Sequence, residues 1–385
     1  DQRKSYVTNL LNQDGIKVVH TLDEITYKPD NVYIYSSAIP IESERFEAFY
    51  DKENVLSRPE YLKILSEHHK IIGITGTHGK TSTTAFLSHI FHFNNFNVSY
   101  LYGGITTFNG IGGHYGETDQ PLILETDEAF NTFEKIKISD LLVLNVDSDH
   151  LDYFKNLQNY KDAFYKVMKN VTDNLVVNND DQNIKSMKEL KNPISYGTDI
   201  EADFRVQSPG NFIYENNKYE IKSDIIGDHF KSNMLGAIIL ALLNGIEIKD
   251  SLNAIESFGG VKRRIELIGI TNGVSIYDDY GHHPTEMEAT ITALKQQSEN
   301  KLYVVFQPHR YTRTKEYFNL FKDSLKLADY AIVTDIYPAG ESPIPGISSK
   351  NFEDGSIKYL KSIRYVPEYL SKKVQNGDIV LTLGA

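Results

Sequence analysis

Cysteine is absent from this chain of 385 residues, which excludes a disulfide framework and any thiolate metal site. A basic excess is also missing. Lys and Arg number 40 against 52 Asp and Glu, for a formal charge of −12. Contact with many phosphates needs a cationic surface to displace counterions, so nucleic acid is not an expected partner. A nucleotide remains possible, because a few placed Lys, Arg and backbone N–H groups can bind phosphate on an acidic protein. No apolar run approaches the ~20 residues of a membrane helix. The opening Asp1-Gln2-Arg3-Lys4 lacks the hydrophobic stretch of a signal peptide, so the cytoplasm is the expected compartment and a membrane is not an expected partner. The chain has no initiator Met and opens in what reads as the middle of a domain, so an incomplete N-terminus is expected. Neither a short internal repeat nor a low-complexity segment is found.

What is present is the composition of a folding chain, 40% hydrophobic and 24% charged. The length predicts two to four domains. Near the start, 16–19 and 31–37 are short β-branched and aromatic runs that read as strands. The stretch 46–69 is more helical, with Leu62, Ile64 and Leu65 among charged residues. From Lys70 the order is strand (71–74), Gly-containing turn, helix (82–93) and strand (98–101), a unit that seeds a mostly parallel sheet. Buried runs at 122–124 and 141–144 extend it. Each is followed by polar residues, at the carboxyl ends where open α/β sheets gather ligands. Residues 178–223 are rich in Asn and Asp, and a helix is expected over 233–244. Beyond a division near Arg264 the rhythm repeats, with strands at 274–277, 302–306, 330–333 and 379–381 and helices at 284–297 and 316–328.

The sharpest motif is Gly76-Thr77-His78-Gly79-Lys80-Thr81, which follows a hydrophobic strand and opens a helix. Glycines let successive N–H groups turn toward an anion, and the helix N-terminus adds partial positive charge. Lys80 can then reach terminal phosphates and Thr81 a magnesium ion. The spacing departs from G-x-x-x-x-G-K-[ST] at Ile74, where that pattern has Gly. Two acidic clusters follow at strand ends, Glu125-Thr126-Asp127-Glu128 and Asp147-Ser148-Asp149-His150-Leu151-Asp152. Hard oxygen ligands beside a triphosphate suit magnesium. Such residues serve as helix caps and solvated turns as readily, so the residues alone leave both roles open.

Further runs complete a resemblance: Asp149-His150-Leu151-Asp152-Tyr153, Gly260-Val261-Lys262-Arg263-Arg264, Asp278-Asp279-Tyr280-Gly281-His282-His283-Pro284-Thr285-Glu286, Phe306-Gln307-Pro308-His309-Arg310-Tyr311-Thr312-Arg313-Thr314 and Tyr337-Pro338-Ala339-Gly340-Glu341. In this order they resemble the Mur ligase family over about 36–385. The runs at 278–284 and 307–314 point to its alanine-adding branch. The resemblance implies an α/β fold of three domains. These are a partial, Rossmann-like N-terminal domain for a UDP sugar (1–69), a central P-loop ATPase domain with a mostly parallel sheet (70–264), and a Rossmann-like C-terminal domain for the amino acid (265–385). The implied partners are UDP-N-acetylmuramate and L-alanine, with ATP and two magnesium ions as cofactors and a monomer or weak homodimer as the assembly. In the implied reaction the lactyl carboxylate takes the γ-phosphate of ATP, and the alanine amine then displaces phosphate.

The implied residue roles are specific. ATP is expected at Gly76, Thr77, His78, Gly79, Lys80, Thr81 and Ser82, with His229 and Asn233 at the adenine and Asp279 brought in by closure. One magnesium ion is expected on Thr81 and Glu125, the other on His150. Lys80, Arg263 and Arg264 are expected to act on the phosphates, and His282 or His283 on the amine. Ser36, Ser37, Gly103 and Gly104 are expected at the nucleotide sugar. Tyr280, His309, Arg310 and Arg313 are expected at the acceptor substrates, with the last three near the alanine carboxylate. Phe230 stands where the family has Asn, the family's Gly-rich pyrophosphate turn is not in this sequence, and relatives continue beyond Gly384-Ala385. Rival readings are a ligase that reattaches a recycled tripeptide, disfavoured by Gln307-Pro308-His309-Arg310, a non-catalytic nucleotide-binding protein, and a P-loop kinase. Retention of Lys80, Glu125, His150, Asp279 and Arg310 together weighs against the non-catalytic reading. Lys80→Ala is expected to abolish turnover with the fold intact.

Overall fold

The computed structural model describes residues 5–21, 24–36, 39, 41–147, 154–187 and 190–385. Its strands form three sheets. In the first, β1 (Tyr33–Tyr35) and β2 (Val55–Ser57) pair in parallel. The helix Arg58–His68 follows directly, started by Ser57 and Glu60 in a reciprocal cap with Pro59 in its first turn. The helical stretch expected over 46–69 is therefore shorter. Residues 16–19, expected as a strand, pair with no strand among the described residues, and Ile16 is half exposed. A β-branched run becomes a strand only where a neighbour accepts its backbone bonds.

The second sheet holds β3 (Ile71–Thr75), β4 (Ser99–Leu101), β5 (Gly113–His114), β6 (Leu122–Glu125), β7 (Asp140–Val143), β8 (Asn174–Asn178), β9 (Ile194–Gly197), β10 (Phe204–Ser208), β11 (Asn211–Tyr214) and β12 (Asn217–Glu220). Their order across the sheet is β12-β11-β10-β9-β8-β7-β3-β6-β4-β5. The stretch from β10 to β4 is parallel, and antiparallel β5, β11 and β12 finish the edges. Strand β3 is buried throughout, as its Ile-Ile-Gly-Ile run suggests. On one face the helices Lys80–Phe93 and Asp228–Leu243 pack through Phe86, Leu87, Ile90, Leu235, Ile238 and Ile239. The helix Leu157–Lys169 covers the other face with Tyr160, Phe164 and Val167. The Asn- and Asp-rich stretch after 178 is the β9 to β12 edge.

In the third sheet β13 (Glu266–Thr271) lies antiparallel to β14 (Val274–Asp279). The others, β15 (Leu302–Phe306), β16 (Tyr330–Val333), β17 (Ile357–Tyr359) and β18 (Ile379–Leu383), join β14 in parallel in the order β13-β14-β18-β15-β16-β17. The helix Pro284–Gln297 spans the residues expected. The one expected over 316–328 is two helices, Tyr311–Glu316 and Phe318–Leu325, because Tyr317 leaves the helical conformation at φ −102° and ψ 16°. No helix among the described residues is long and apolar enough to cross a membrane. The carboxyl ends of β3, β6 and β7 and the end of β14 lead into one region, where the second and third sheets' connections meet.

Candidate active site

Between β3 and its helix the chain makes a turn that only glycine tolerates well. Gly76 has φ +143° and Gly79 has φ +84°, both in the region that a Cβ disfavours. Gly79 caps the helix Lys80–Phe93 without a side-chain acceptor, leaving the first N–H groups directed out of the helix end. Nearly all of this helix is buried, including Thr83, Thr84 and Ser88. Their hydroxyls bond back to the carbonyls of Gly79, Lys80 and Thr84 at 2.8–2.9 Å. Asn145, just past β7, fixes the turn from the side. Its Oδ1 accepts from the His78 N–H at 2.8 Å and its Nδ2 donates to the His78 carbonyl at 3.0 Å.

Lys80 donates to the carbonyl of Gly76 at 2.6 Å and to Glu128 Oε2 at 2.9 Å. Glu128 is fully buried and also accepts from the Tyr160 hydroxyl at 3.1 Å. Burial alone would lower the Lys80 pKa, but Glu128, Asp127 and Glu125 outweigh it and hold the ammonium charged. Burial pushes Glu128 upward, with Lys80 opposing. Lys80 is thus both a candidate phosphate ligand and the countercharge of a buried carboxylate, and the expectation that its loss leaves the fold intact is revised. Glu128 and Tyr160 were missed as site residues. The Glu-Thr-Asp-Glu run carried Glu128 in view, but nothing in its spacing separated it from Glu125.

Thr81 donates to Glu125 Oε1 at 2.9 Å, while Glu125 Oε2 accepts from the Gly103 N–H at 2.7 Å. Hydroxyl and carboxylate oxygens at this spacing beside a phosphate turn suit a hard cation such as magnesium. Gly104 lies so near that a Cβ there would sit 2.7 Å from Thr81 Cγ2. Gly104 therefore touches the helix start, while Gly103 holds Glu125, and both line the space beside them. The second expected metal ligand, His150, lies outside the described residues, as does Ser37. Ser36 is exposed after β1 and lines neither cavity at the phosphate turn.

Two cavities meet at His78 and Gly79. The smaller, about 300 Å³, is lined by Ser82, Asn145, Asp181, His229, Phe230, Asn233, Asp279 and Thr290 among others. His229 and Asn233 come together there as expected, on the helix that Gly227 starts at φ +120°. Phe230 packs inward, edge-on against Phe86 at 6.3 Å, and belongs to the core. Burial drives the His229 pKa down to about 4, so its imidazole is neutral. Burial also raises Asp279 to about 6, opposed by Arg264 and by the N–H groups of Gly281 and Ile265, which donate at 2.7 and 2.8 Å.

The larger cavity, about 490 Å³, is lined by Lys80, Thr81, Gly103, Gly104, Glu125, Asp127, Arg263, Arg264, Tyr280, His282, His283 and Arg313. Arg263 has much of its guanidinium committed: Nε donates to Asp278 at 2.9 Å and a terminal nitrogen to the Gly384 carbonyl. Both arginines stack near the Tyr280 ring, at 5.1 and 5.3 Å. His282 Nδ1 lies 3.2 Å from the Tyr280 carbonyl and 3.6 Å from Glu286 Oε2, two acceptors that call for a proton on Nδ1. His283 is buried and caps the helix Pro284–Gln297. His309 lies 6.1 Å from the His282 ring and stacks on Tyr337, and Arg310 pairs with Glu341 at 3.3 Å. Neither lines the cavity, whereas Arg313 does.

Also missed were the partners of His78. Its Nε2 lies 3.2 Å from Asp147 Oδ2 and its Nδ1 3.4 Å from Glu286 Oε1. Burial would lower its pKa, but these two carboxylates raise it to about 9, so it is an imidazolium at neutral pH. Glu286 is held well below the ordinary carboxylate value, because His78 outweighs the effect of burial.

Residues 74–241 match the Mur ligase middle domain, and residues 263–385 match the Mur ligase, glutamate ligase domain. A UDP-N-acetylmuramate–L-alanine ligase of Caldicellulosiruptor saccharolyticus is 36% identical over 409 residues, covering all of this chain and 89% of its own length. Among solved structures, the UDP-N-acetylmuramate-alanine ligase of Thermotoga maritima superimposes with a TM-score of 0.81 at 24% identity, covering 100% of this chain and 88% of that one. A murein peptide ligase of Psychrobacter arcticus gives 0.66 at 20% identity, covering 98% and 88%. The two structures share this chain's fold.

Proposed function

This chain belongs to the Mur ligase family, and we propose that it is the ATP-dependent ligase that joins L-alanine to the lactyl carboxylate of UDP-N-acetylmuramate, an early cytoplasmic step of peptidoglycan synthesis. The observation that carries this reading is the pair of cavities on either side of one phosphate turn. In this reading the base occupies the smaller, the reacting groups of the acceptors meet in the larger, and the γ-phosphate lies at their junction. In this reading the chain divides at 1–69, 70–264 and 265–385 and works as a monomer or weak homodimer.

The base lies beside His229 and Asn233, with Phe230 offering an apolar wall where the family has a polar contact. The N–H groups of 76–81 and the Lys80 ammonium hold the phosphates. Thr81 and Glu125 hold magnesium, which when bound neutralises phosphate charge; His150 is assigned the second ion. A carboxylate oxygen of the sugar's lactyl group attacks the γ-phosphorus as the bond to the ADP oxygen breaks, giving an acyl phosphate. Lys80 and Arg264 stabilise the charge that spreads over the transferred oxygens. The alanine amine then attacks the acyl carbon, the bond to phosphate breaks, and the amine proton passes to Nε2 of His282. Arg313, with His309 and Arg310 behind it, receives the alanine carboxylate, a task suited to a forked guanidinium. His283 positions His282, and Tyr280 packs beside Arg263 and Arg264 at the acceptors. Ser36, Ser37, Gly103 and Gly104 are assigned to the nucleotide sugar.

Phosphate release by the chain with magnesium, ATP and UDP-N-acetylmuramate tests this, with L-alanine, glycine, L-serine or the tripeptide added in turn. Release that depends on L-alanine, with the matching amide product, is expected. Weaker release with glycine or L-serine is expected too, since one methyl or hydroxyl group is worth only ~1–3 kcal/mol of discrimination. Release with the tripeptide alone would move the chain to the recycling reaction. None with any acceptor would make it a non-catalytic nucleotide-binding protein.

A further inference from the structure

A phosphate turn needs its N–H groups, its lysine and its hydroxyl, and none of those tasks uses the side chain of His78. That side chain is nonetheless almost enclosed, 14% exposed, with a carboxylate at each ring nitrogen. One of them, Asp147, follows β7 in the middle-domain region. The other, Glu286, belongs to the first turn of the helix Pro284–Gln297, in the other matched region. Glu286 is itself held by the N–H groups of His282 and His283, which donate to its Oε2 at 3.1 and 3.3 Å. A second contact crosses the same boundary, from the Thr285 hydroxyl to Asp147 Oδ2 at 2.7 Å. The rings of His78 and His283 lie 4.8 Å apart.

From this arrangement we infer that His78 is a positioning residue, an interdomain latch that fixes the His282-His283 turn to the loop holding the ATP phosphates. The inference rests on the ligase reading and adds the physical link between its two halves. Asn145 sets the His78 backbone from both sides, so a shift of the phosphate turn is passed through one imidazole to Glu286. Glu286 passes it to the N–H groups of the two histidines at the acceptor cavity. Nucleotide held on the loop and the amino-acid site are then coupled through a contact whose two members, His78 and Glu286, line both cavities. His78, Asp147 and His283 also bring three possible metal-ligating atoms within 4.8 Å. Because each nitrogen of His78 already faces a carboxylate, the cation of this cluster is the imidazolium.

The test compares the wild-type chain with His78→Asn, Glu286→Gln and the double variant. Gln at 286 keeps one oxygen for the His282 and His283 N–H groups, while the charge and the acceptor facing His78 Nδ1 are lost. The absence of cysteine lets Lys249→Cys and Lys326→Cys, both at exposed positions, carry a pair of spin labels across the boundary. For each single variant the expected result is a KM for L-alanine raised ~10-fold, a broadened label distance with nucleotide bound, and an affinity for a non-hydrolysable ATP analogue within about 3-fold of wild type, well below the typical size of an allosteric coupling. The double variant is expected to be no worse than either single one. Unchanged KM and distance in an otherwise active enzyme would overturn the latch, as would an equal loss of analogue binding and alanine KM, which marks a merely structural histidine. Failure of the wild type to release phosphate with L-alanine would instead remove the ligase reading.

Discussion

Replacing Lys80 with alanine removes the proposed phosphate ligand, but the larger physical event is at Glu128. That carboxylate is fully buried, and its ion pair with Lys80 is 2.9 Å long. After the substitution the Tyr160 hydroxyl still donates to it, but the ammonium charge beside it is gone. An ionised carboxylate cannot stay there without a cation, so Glu128 takes up a proton on folding. Starting from an ordinary value of 4.5, protonation at pH 7 costs at most about 3.4 kcal/mol at ~1.4 kcal/mol per unit. The loss of stability should therefore be about 3 kcal/mol at pH 7, in line with the cost of breaking a buried pair from one side. The sign in pH is fixed. A carboxyl whose folded pKa is raised is favoured at low pH and loses that advantage as pH rises, so the deficit shrinks to about 1 kcal/mol near pH 5. With no tryptophan in the chain, circular dichroism during urea unfolding is the assay, at pH 5 and 7. Lys80→Ala with Glu128→Gln should recover most of the stability and none of the turnover, with kcat down about 10²–10³-fold in both. A deficit in the single variant that is absent, or the same at both pH values, would refute the argument.

Gly79→Ala places a methyl group 2.6 Å from Asn233 Nδ2 at φ +84°. A left-handed backbone costs a residue with a Cβ about 1–2 kcal/mol, and Asn233 must leave its place in the smaller cavity. ATP-analogue titration should show binding weakened by at least the ~10-fold that 1.4 kcal/mol represents, with the chain still folded. Phe230→Asn, which restores the residue usual in the family, should destabilise the chain by about 3–5 kcal/mol because it empties a core site beside Phe86. Urea unfolding measures this, and unchanged stability would show that the core placement is wrong. Thr81→Val keeps the shape and removes the hydroxyl beside Glu125, so the magnesium concentration for half-maximal phosphate release should rise ~10-fold or more. A magnesium titration that superimposes on wild type would remove Thr81 from the metal site.

Local patterns gave much of the fold because local physics decides those elements. Strand β3 is a β-branched run buried on both faces, and the helix Pro284–Gln297 is announced by His283, Pro284 and Glu286 at its start. The failures also have physical reasons. Residues 16–19 have strand-like side chains but no paired neighbour, a condition no local run contains. The helix with Asn233 begins five residues earlier, at Asp228, because Gly227 reverses the backbone there. At the site, the phosphate turn was legible as a contiguous string. The His78–Glu286 contact spans 208 positions, and Lys80–Glu128 spans 48. Such pairs exist only once parallel strands bring their carboxyl ends together, so no spacing rule marks them.

The same distinction explains how an acidic chain comes to serve a triphosphate. The whole carries −12, yet the larger cavity gathers Lys80, Lys262, Arg263, Arg264 and Arg313 against Glu125, Asp127 and Glu286. Two of these cations are already answered at close range, Lys80 by Glu128 and Arg263 by Asp278, and so is the neighbouring His78 imidazolium, by Asp147 and Glu286. Arg264 makes no hydrogen bond or ion pair of that kind in the described structure and lines both cavities. A triphosphate arriving here meets fixed charges arranged for the folded protein as much as for the ligand. Its remaining negative charge falls to Arg264 and to the hard-oxygen pair of Thr81 and Glu125. A carboxylate beside the phosphates repels them unless a divalent cation lies between. In the proposed reading a divalent cation between Glu125 and the phosphates would serve binding as well as phosphoryl transfer, and Arg264 is the guanidinium least committed to holding the protein together.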